Sequence, residues 1–212
     1  AARAGGAAAM KSAAALTAGL ALLAGCMEIP EVPPREYYVL EDLAAAGASK
    51  TGVAGRVLLV SAASASPFYD TQNLVFSRAP GQRAYYQFAA WTERPGRRLS
   101  EFLARRLEAA GAFRSVAATT AGVRGDVVLN TRLEEFYHDV TGQPGSVRIE
   151  VTAELVEFSG GTVVARRRFV QSAPAAGANA QAAVAAFSQA TTALLDEMAL
   201  WVERAGSKPA PR

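Results

Sequence analysis

The spacing of apolar residues changes near Asp126, and this change restricts the fold of the 212-residue chain more than any other feature. Before it, apolar residues recur at helical spacing over residues 99–110, with Pro95 in the first turn and Gly111 after the last. After it, apolar and polar side chains alternate over residues 147–155, as a half-buried strand requires. The chain therefore combines an amphipathic helix with strands that bury one face.

Shorter patterns complete the predicted elements. A continuous apolar run over residues 56–60 is typical of an interior strand, and the Pro80-Gly81 pair predicts a hairpin between strands at 73–76 and 85–91. We also expect an early strand over 37–40, a return strand over 163–170 after the Ser159-Gly160-Gly161 turn, and a long helix over 181–204. The sequence thus predicts an α/β fold: a single domain with a mixed β-sheet, on which an amphipathic middle helix and a long C-terminal helix pack.

Three consecutive arginines, Arg166, Arg167 and Arg168, fall inside the return strand. Exposed faces of strands commonly carry cross-strand pairs of opposite charge. We interpret the arginines as partners of Glu150, Glu154 or Glu157, and the alternative is a cluster that binds a ligand.

The residue types offer little catalytic chemistry. His138 is the only histidine, so a metal site with two histidine ligands is excluded. No Gly-x-Ser-x-Gly motif is present. We expect His138 to be solvated at a strand end, and we predict a protein that is not an enzyme and holds no metal.

Two short motifs resemble ligand sites. Residues 47–51 read Gly-Ala-Ser-Lys-Thr, but Ser49 replaces the glycine that a phosphate-binding loop needs before its lysine. Residues 124–126 read Arg-Gly-Asp, which we interpret as a turn that leads into a strand. Neither motif predicts a site.

Cys26 is the only cysteine, and it ends an apolar stretch that begins after Met10 and Lys11. The stretch is shorter than the roughly 20 residues that span a bilayer. Its last four residues, Leu23-Ala24-Gly25-Cys26, resemble the lipobox of bacterial lipoproteins, in which the cysteine sulfur receives diacylglycerol. We predict a leader over residues 1–25, of which 1–9 are an overlong start and 10–25 a lipoprotein signal peptide. The alternative is that Cys26 is a buried thiol.

The rest of the chain divides by composition. Pro30, Pro33 and Pro34 predict an extended, lipidated tether over residues 26–35, followed by a domain over 36–205 and a disordered tail over 206–212. Loss of the leader lowers the formal charge from +3 to about +1. A near-neutral domain lacks the basic patch that nucleic-acid binding requires, so no nucleic acid is expected as a partner.

Aromatic residues are concentrated between the early strand and the middle helix. Clustered aromatics can line an apolar groove or a partner interface, and a hairpin on a helix would also bury many of them in the core. The candidates for contact with a partner or lipid are Tyr69, Tyr86 and Trp91. The other members of the concentration are Phe68, Phe76, Tyr85 and Phe88.

Three segments together resemble the ABC-type transport auxiliary lipoproteins: residues 37–40, residues 69–76 and residues 85–91. Phe102, Leu107, the Gly111-Ala112-Phe113 segment and the C-terminal helix follow in the order expected for that family, which contains the lipoprotein partner of the paraquat-inducible MCE transport system. The resemblance implies a non-enzymatic domain that docks on an MCE-domain protein of an ABC transporter and assists phospholipid transfer between membranes. It also implies a lipid anchor on the periplasmic side of the outer membrane, since Met27 and not aspartate follows Cys26.

Two other functions stay open on the residues alone. The chain can be a free-standing lipoprotein that binds lipid or a small ligand in its own cavity, or a structural envelope lipoprotein. An apolar cavity favours the first, and a flat apolar patch favours a partner or a homo-oligomer. Apart from the diacylglycerol and acyl chains on Cys26, we expect no cofactor.

Overall fold

The computed structural model describes residues 32–44 and 55–206. All elements below belong to the compact unit that starts at Arg35. Several predictions concern residues outside this description: the leader, Cys26 and its lipidation, Pro30, the motif at 47–51 and the tail after Gly206.

Nine strands and two α-helices form in the described residues. The strands are β1 (Glu36–Tyr38), β2 (Val57–Val60), β3 (Ser64–Ala65), β4 (Asn73–Ser77), β5 (Ala84–Trp91), β6 (Ser115–Ala118), β7 (Val127–Asp139), β8 (Ser146–Glu157) and β9 (Val163–Pro174). The helices are α1 (Pro95–Ala110) and α2 (Ala180–Gly206), and a 3₁₀ turn covers Thr119–Ala121.

Strand β7 organises the sheet. Along one edge it pairs with β8 in antiparallel register from Val127 to Asp139. The other edge is shared by three parallel neighbours in turn, with β2 at its start, β3 in its middle and β4 at its end. Strand β5 pairs antiparallel with β4, and β1 is the edge strand beside β5. The sheet is therefore mixed, as predicted.

Helix α1 confirms the predicted middle helix at both ends. Pro95 occupies the first turn, where its missing N–H leaves no hydrogen bond unmade. Gly111 ends the helix with φ 67°, and its N–H donates to the carbonyl oxygen of Glu108. The apolar stripe of Leu99, Leu103 and Leu107 is buried against the sheet core.

Helix α2 packs on β8 and β9 through a stripe of buried residues. The largest of them are Phe187, Leu194, Leu195, Met198 and Val202. The helix is 27 residues long, slightly longer than predicted. No helix in residues 32–44 and 55–206 has both the length and the apolar character needed to cross a membrane.

A bulge in β7 changes which side chains face the core. Before it, Leu129 and Leu133 point inward, but the pairing shifts by one residue between Leu133 and Glu135. After it, Phe136 and His138 point inward instead. The prediction that His138 is solvated is therefore wrong: its side chain is fully buried. An extra residue in one strand reverses the inside-outside alternation beyond it.

The β8–β9 hairpin confirms the predicted return strand and most of its charge pairs. Arg166 pairs with Glu154 at 3.6 Å, and Arg168 pairs with Glu150 at 2.5 Å. Arg167 points to the opposite face and binds Glu197 of α2. The partner of Glu157 is Arg56, at 2.5 Å. The arginine triplet therefore serves ion pairs on both faces of one strand.

Candidate functional site

Trp91 lies in the core at the end of β5. Its indole contacts the rings of Phe136 and Phe187 edge to face, at centroid distances of 5.8 and 5.5 Å, and those two rings stack at 4.2 Å. Only 1% of Trp91 is exposed. The three rings join β5, β7 and α2, so Trp91 fixes the position of the hairpin relative to the helix. Its contact with a partner stays a prediction.

Tyr86 lies in the same hairpin but reaches a buried polar group. Its hydroxyl is 2.9 Å from Nδ1 of His138, and its ring packs against Phe76 at 4.7 Å. Burial raises the pKa of Tyr86 and lowers the pKa of His138, although the negative charge of Asp139 opposes the shift at the histidine. Both groups are therefore neutral at pH 7, and the pair is a structural contact rather than an activated nucleophile.

Tyr69 is buried beneath the loop that precedes β4. Its hydroxyl accepts a hydrogen bond from Nε of Arg83 at 2.9 Å. The same guanidinium lies 3.6 Å from the ring centre of Tyr137 and 3.3 Å from Glu135. Burial raises the pKa of Tyr69 despite the nearby Arg83 charge, so its hydroxyl stays protonated. Arg83 thus holds the Tyr69 hydroxyl in place.

Two aromatic rings beside Tyr69 face solvent. Phe68 and Tyr85 stack with ring centres 4.7 Å apart and planes 12° apart, and the Tyr85 hydroxyl donates to the Phe68 carbonyl oxygen at 3.3 Å. They are 37% and 41% exposed. We call Phe68, Tyr69 and Tyr85, with Arg83 beneath them, the aromatic platform. It is a rigid apolar surface with a polar rim, which is the composition typical of interface anchors.

A chain of ion pairs continues from Arg83 across the outer face of the sheet. Glu135 accepts from Arg83 and also from Arg148, the latter at 2.5 Å. Glu150 accepts from Arg148 at 2.9 Å and from Arg168 at 2.5 Å. The hydrogen bond from Arg168 is the main reason that the pKa of Glu150 is lowered. This network fixes β7, β8 and β9 side by side, and it ties the platform to the sheet.

The sheet and helices leave little internal space beside α1. An apolar cavity lined by Leu99, Leu103, Leu133, Val151 and Leu194 has a volume of about 10 Å³. A volume of that size holds one water molecule at most. It cannot hold an acyl chain.

The described residues assemble no cluster of three or more His, Cys, Asp or Glu side chains that could hold a metal ion. Burial raises the pKa of Tyr69, Tyr86 and Tyr137 and lowers the pKa of His138, so these four side chains are neutral at pH 7. The arrangement offers a rigid surface for binding. Sequence reasoning placed Phe68 and Tyr85 in the aromatic concentration but did not select them. It missed Arg83 and Tyr137, because only the fold brings them beneath the platform.

Comparisons with known proteins agree with this architecture. The sequence model of a family described as "ABC-type transport auxiliary lipoprotein component" matches residues 38–199. A crystal structure of a DUF330-family protein from Xanthomonas campestris is 27% identical, with a TM-score of 0.72 over 81% of this chain and 96% of that one. A second structure, of an uncharacterised protein, is 15% identical, with a TM-score of 0.61 over 80% and 99% of the two chains.

A weaker likeness joins the chain to PelC from Paraburkholderia phytofirmans, solved as a dodecamer. The identity is 17% and the TM-score 0.46, over 76% of this chain and 95% of that one. A likeness at this level carries no conclusion about assembly, so a homo-oligomer stays a prediction. No curated protein matches the chain significantly.

Proposed function

Because the chain belongs to the family of ABC-type transport auxiliary lipoprotein components, we propose that it is the membrane-anchored, non-enzymatic accessory of an MCE-type ABC transport system. In this proposal it assists the passage of phospholipid between the inner and outer membranes from the periplasmic side of the outer membrane. The family match over most of the domain is the observation that carries the proposal.

The anchor in this proposal is diacylglycerol on Cys26. The tether from residue 26 to residue 35 holds the domain at a limited distance from the bilayer, since prolines keep a chain extended. The lipid chains are the only added groups that the proposal requires. Their role is attachment, because a single acyl chain binds a bilayer only marginally, whereas two chains anchor a protein stably.

The docking surface in this proposal is the aromatic platform. Phe68 and Tyr85 would supply the contact, because they are exposed and already fixed by stacking, so that little side-chain freedom is lost on binding. Tyr69, Tyr86 and Trp91 would act from beneath by holding the hairpin in place. The partner that we propose is the MCE-domain protein of the transporter.

The cavity beside α1 cannot serve as the lipid site of a free-standing carrier. A carrier of that kind needs an apolar cavity of several hundred Å³ to enclose its ligand, and this one is too small for more than one water. The exposed aromatic pair favours a surface that binds a partner.

Replacement of Cys26 tests the anchor. The Cys26→Ser variant, expressed with the same leader in a strain that lacks the wild-type protein, should be released from the membrane and should fail to restore the envelope barrier to detergent. Full barrier function from a soluble Cys26→Ser protein would refute the anchored role. The Leu200→Ala variant, which alters a half-exposed residue on α2, is the matched control and should behave as wild type.

A further inference from the structure

A polar cleft of about 310 Å³ lies where the edge strand β1 and the end of β5 approach the start of β4 and the start of α1. No residue of the aromatic platform lines it. Its charged and aromatic lining consists of Arg35, Tyr37, Asp70 and Arg94. The cleft is therefore not the docking surface proposed above.

The two arginines of this cleft use few of their hydrogen-bond donors. Arg35 donates to Oδ1 of Asn73. Arg94 lies 3.4 and 3.5 Å from the two carboxylate oxygens of Asp70, which is the far limit of a hydrogen bond. A guanidinium carries five N–H donors. Most donors of both side chains therefore face the cleft or solvent without a partner among the described residues.

Arg106, in the same domain, uses more of its donors. It makes two hydrogen bonds to Asp42, at 2.6 and 2.7 Å, and a third to Asp196 at 2.5 Å. Arg106 is 22% exposed, whereas Arg94 is 60% exposed. Arg35 and Arg94 thus differ from Arg106, whose hydrogen bonds join separate parts of the fold.

The local charge of the cleft is positive. Two guanidinium groups and the single carboxylate of Asp70 line it. Arg94 is also the N-cap residue of α1, and the first turn of that helix has neither an acidic residue nor a side chain that caps it. The positive end of the helix dipole therefore adds to the charge of the two arginines.

We propose that this cleft binds the phosphate group of a phosphodiester. Planar guanidinium groups match the geometry of phosphate oxygens and bind them in pairs. The volume is within the range of sites that hold small ligands, which begins at roughly 300 Å³. Asn73 adds a polar amide at the cleft wall, and the exposed Tyr37 ring forms its apolar side.

The position of Arg35 points to a lipid headgroup as one source of that phosphate. Arg35 follows Cys26 by nine residues, and nine extended residues reach at most about 32 Å. If Cys26 carries diacylglycerol, as in the proposed function on which this step rests, Arg35 stays within that distance of the lipid anchor. The other source with the same chemistry is free phosphate or a soluble phosphate ester.

Titration of the purified full chain with inorganic phosphate, followed by NMR of the Asn73 and Gln72 side-chain amides and the arginine Nε–H groups, tests the site itself. We expect saturable shifts. Arg35→Gln and Arg94→Gln should each weaken binding by about fivefold, the upper range for one exposed ion pair. Asp70→Asn should strengthen binding, because it removes the acid that competes for Arg94.

Arg97→Gln is the matched control, since Arg97 lies on the same helix, is 74% exposed and pairs with Glu101 outside the cleft. It should leave phosphate binding unchanged. Equal losses for Arg94→Gln and Arg97→Gln would mean a diffuse charge effect and would overturn the site. An absence of any saturable shift would overturn it as well.

Vesicles of phosphatidylglycerol and phosphatidylcholine distinguish the two sources of phosphate. The variants share one N-terminus, so differences in vesicle binding between them report on the cleft. Weaker binding by Arg35→Gln and Arg94→Gln than by Arg97→Gln assigns the site to lipid headgroups. If all three variants bind vesicles equally while the cleft variants still bind inorganic phosphate more weakly, the site belongs to a soluble phosphate. That result overturns the lipid headgroup as the source. Neither assay needs a transporter, so failure here leaves the proposed function standing.

Discussion

His138 has one satisfied and one unsatisfied ring nitrogen inside the domain. Nδ1 is 2.9 Å from the Tyr86 hydroxyl, whereas Nε2 is buried without a hydrogen-bond partner in the described part of the chain. A Cβ at Gly145 would approach Nε2 to 3.0 Å and the Asp139 carbonyl oxygen to 2.6 Å. The turn after β7 therefore closes tightly over the ring, and a charged imidazolium would lose its solvation at this buried position.

The free energy of unfolding should therefore decrease as pH is lowered, because His138 is buried in its neutral form. Burial lowers the pKa of His138 below its ordinary value near 6.5. Below that value the unfolded chain takes up a proton and the folded chain does not, so the free energy of unfolding decreases as pH falls, by up to about 1.4 kcal/mol per pH unit. Urea midpoints measured at about pH 7.5 and about pH 5.5 should differ.

The chain has one histidine, so no other side chain with an ordinary pKa near 6.5 titrates in this window. A hydrogen bond from Thr141 lowers the pKa of Asp139, and a hydrogen bond from Arg168 lowers the pKa of Glu150. Both carboxylates therefore lose their protons well below this pH window. The His138→Leu variant should have the same midpoint at both values. A wild-type midpoint that does not move would contradict the buried, neutral histidine.

The same residue shows where sequence reasoning ends. The alternation in β7 is legible up to Leu133, but the extra residue at Glu134 shifts its phase, and no local pattern marks the bulge. The pairs of Arg166 and Arg168 were predictable because Glu150 and Glu154 lie on the facing strand. Arg167 was not, because its partner Glu197 comes from a helix that only the tertiary fold places beside it.

At the scale of the elements, Phe187 is one of the buried residues that hold helix α2 to the sheet. Phe187 is fully buried, stacks on Phe136 of β7 and meets Trp91 of β5. Phe187→Ala should destabilise the domain by about 3–5 kcal/mol, the range for removal of a buried phenyl ring. Leu200→Ala, on the exposed side of the same helix, should change the free energy of unfolding by less than about 0.5 kcal/mol. Similar losses in urea denaturation of the two variants would disprove this packing.

The segment after β1 is joined to both helices by Arg106. Burial acts to raise the pKa of Asp42, but hydrogen bonds from Arg106, Ala44 and Thr192 outweigh it and the pKa is lowered. The backbone N–H of Leu43 also donates to Thr192 at 2.8 Å. This three-way contact fixes the start of the domain across α1 and α2.

Arg106→Gln should lower the free energy of unfolding at pH 7 by about 1.5–3 kcal/mol, as for hydrogen bonds to charged groups. Since the folded pKa of Asp42 is lowered, this contribution is present above the ordinary pKa near 3.9 and is lost as pH falls below it. The difference between wild type and variant should therefore shrink at about pH 3. Arg97→Gln, whose exposed ion pair with Glu101 joins no elements, is the control. If the free energies of unfolding of wild type and Arg106→Gln differ by the same amount at both pH values, the role of the Asp42 charge is contradicted.

At the scale of the whole molecule, the local elements were predictable and their long-range order was not. The β4–β5 and β8–β9 hairpins and both helices follow from periodicity, turn residues and Gly111, since neighbours in sequence are neighbours in space. The parallel pairs of β7 with β2 and β4 join residues that are 62 or more positions apart in the chain and leave no pattern of their own. The aromatic platform depends on those contacts, because Arg83 and Tyr137 meet only when β4 and β7 pair.

We propose that the anchored domain binds an ABC transport system through its aromatic platform. The most direct measurement is affinity isolation of the lipidated full chain from its native membranes after mild cross-linking, with mass spectrometry of the proteins recovered. We expect an MCE-domain protein with its transporter subunits, lost in a Phe68→Ala, Tyr85→Ala double variant and retained in Leu200→Ala. Recovery of no transport component from membranes that contain one, or equal recovery by both variants, would contradict the account.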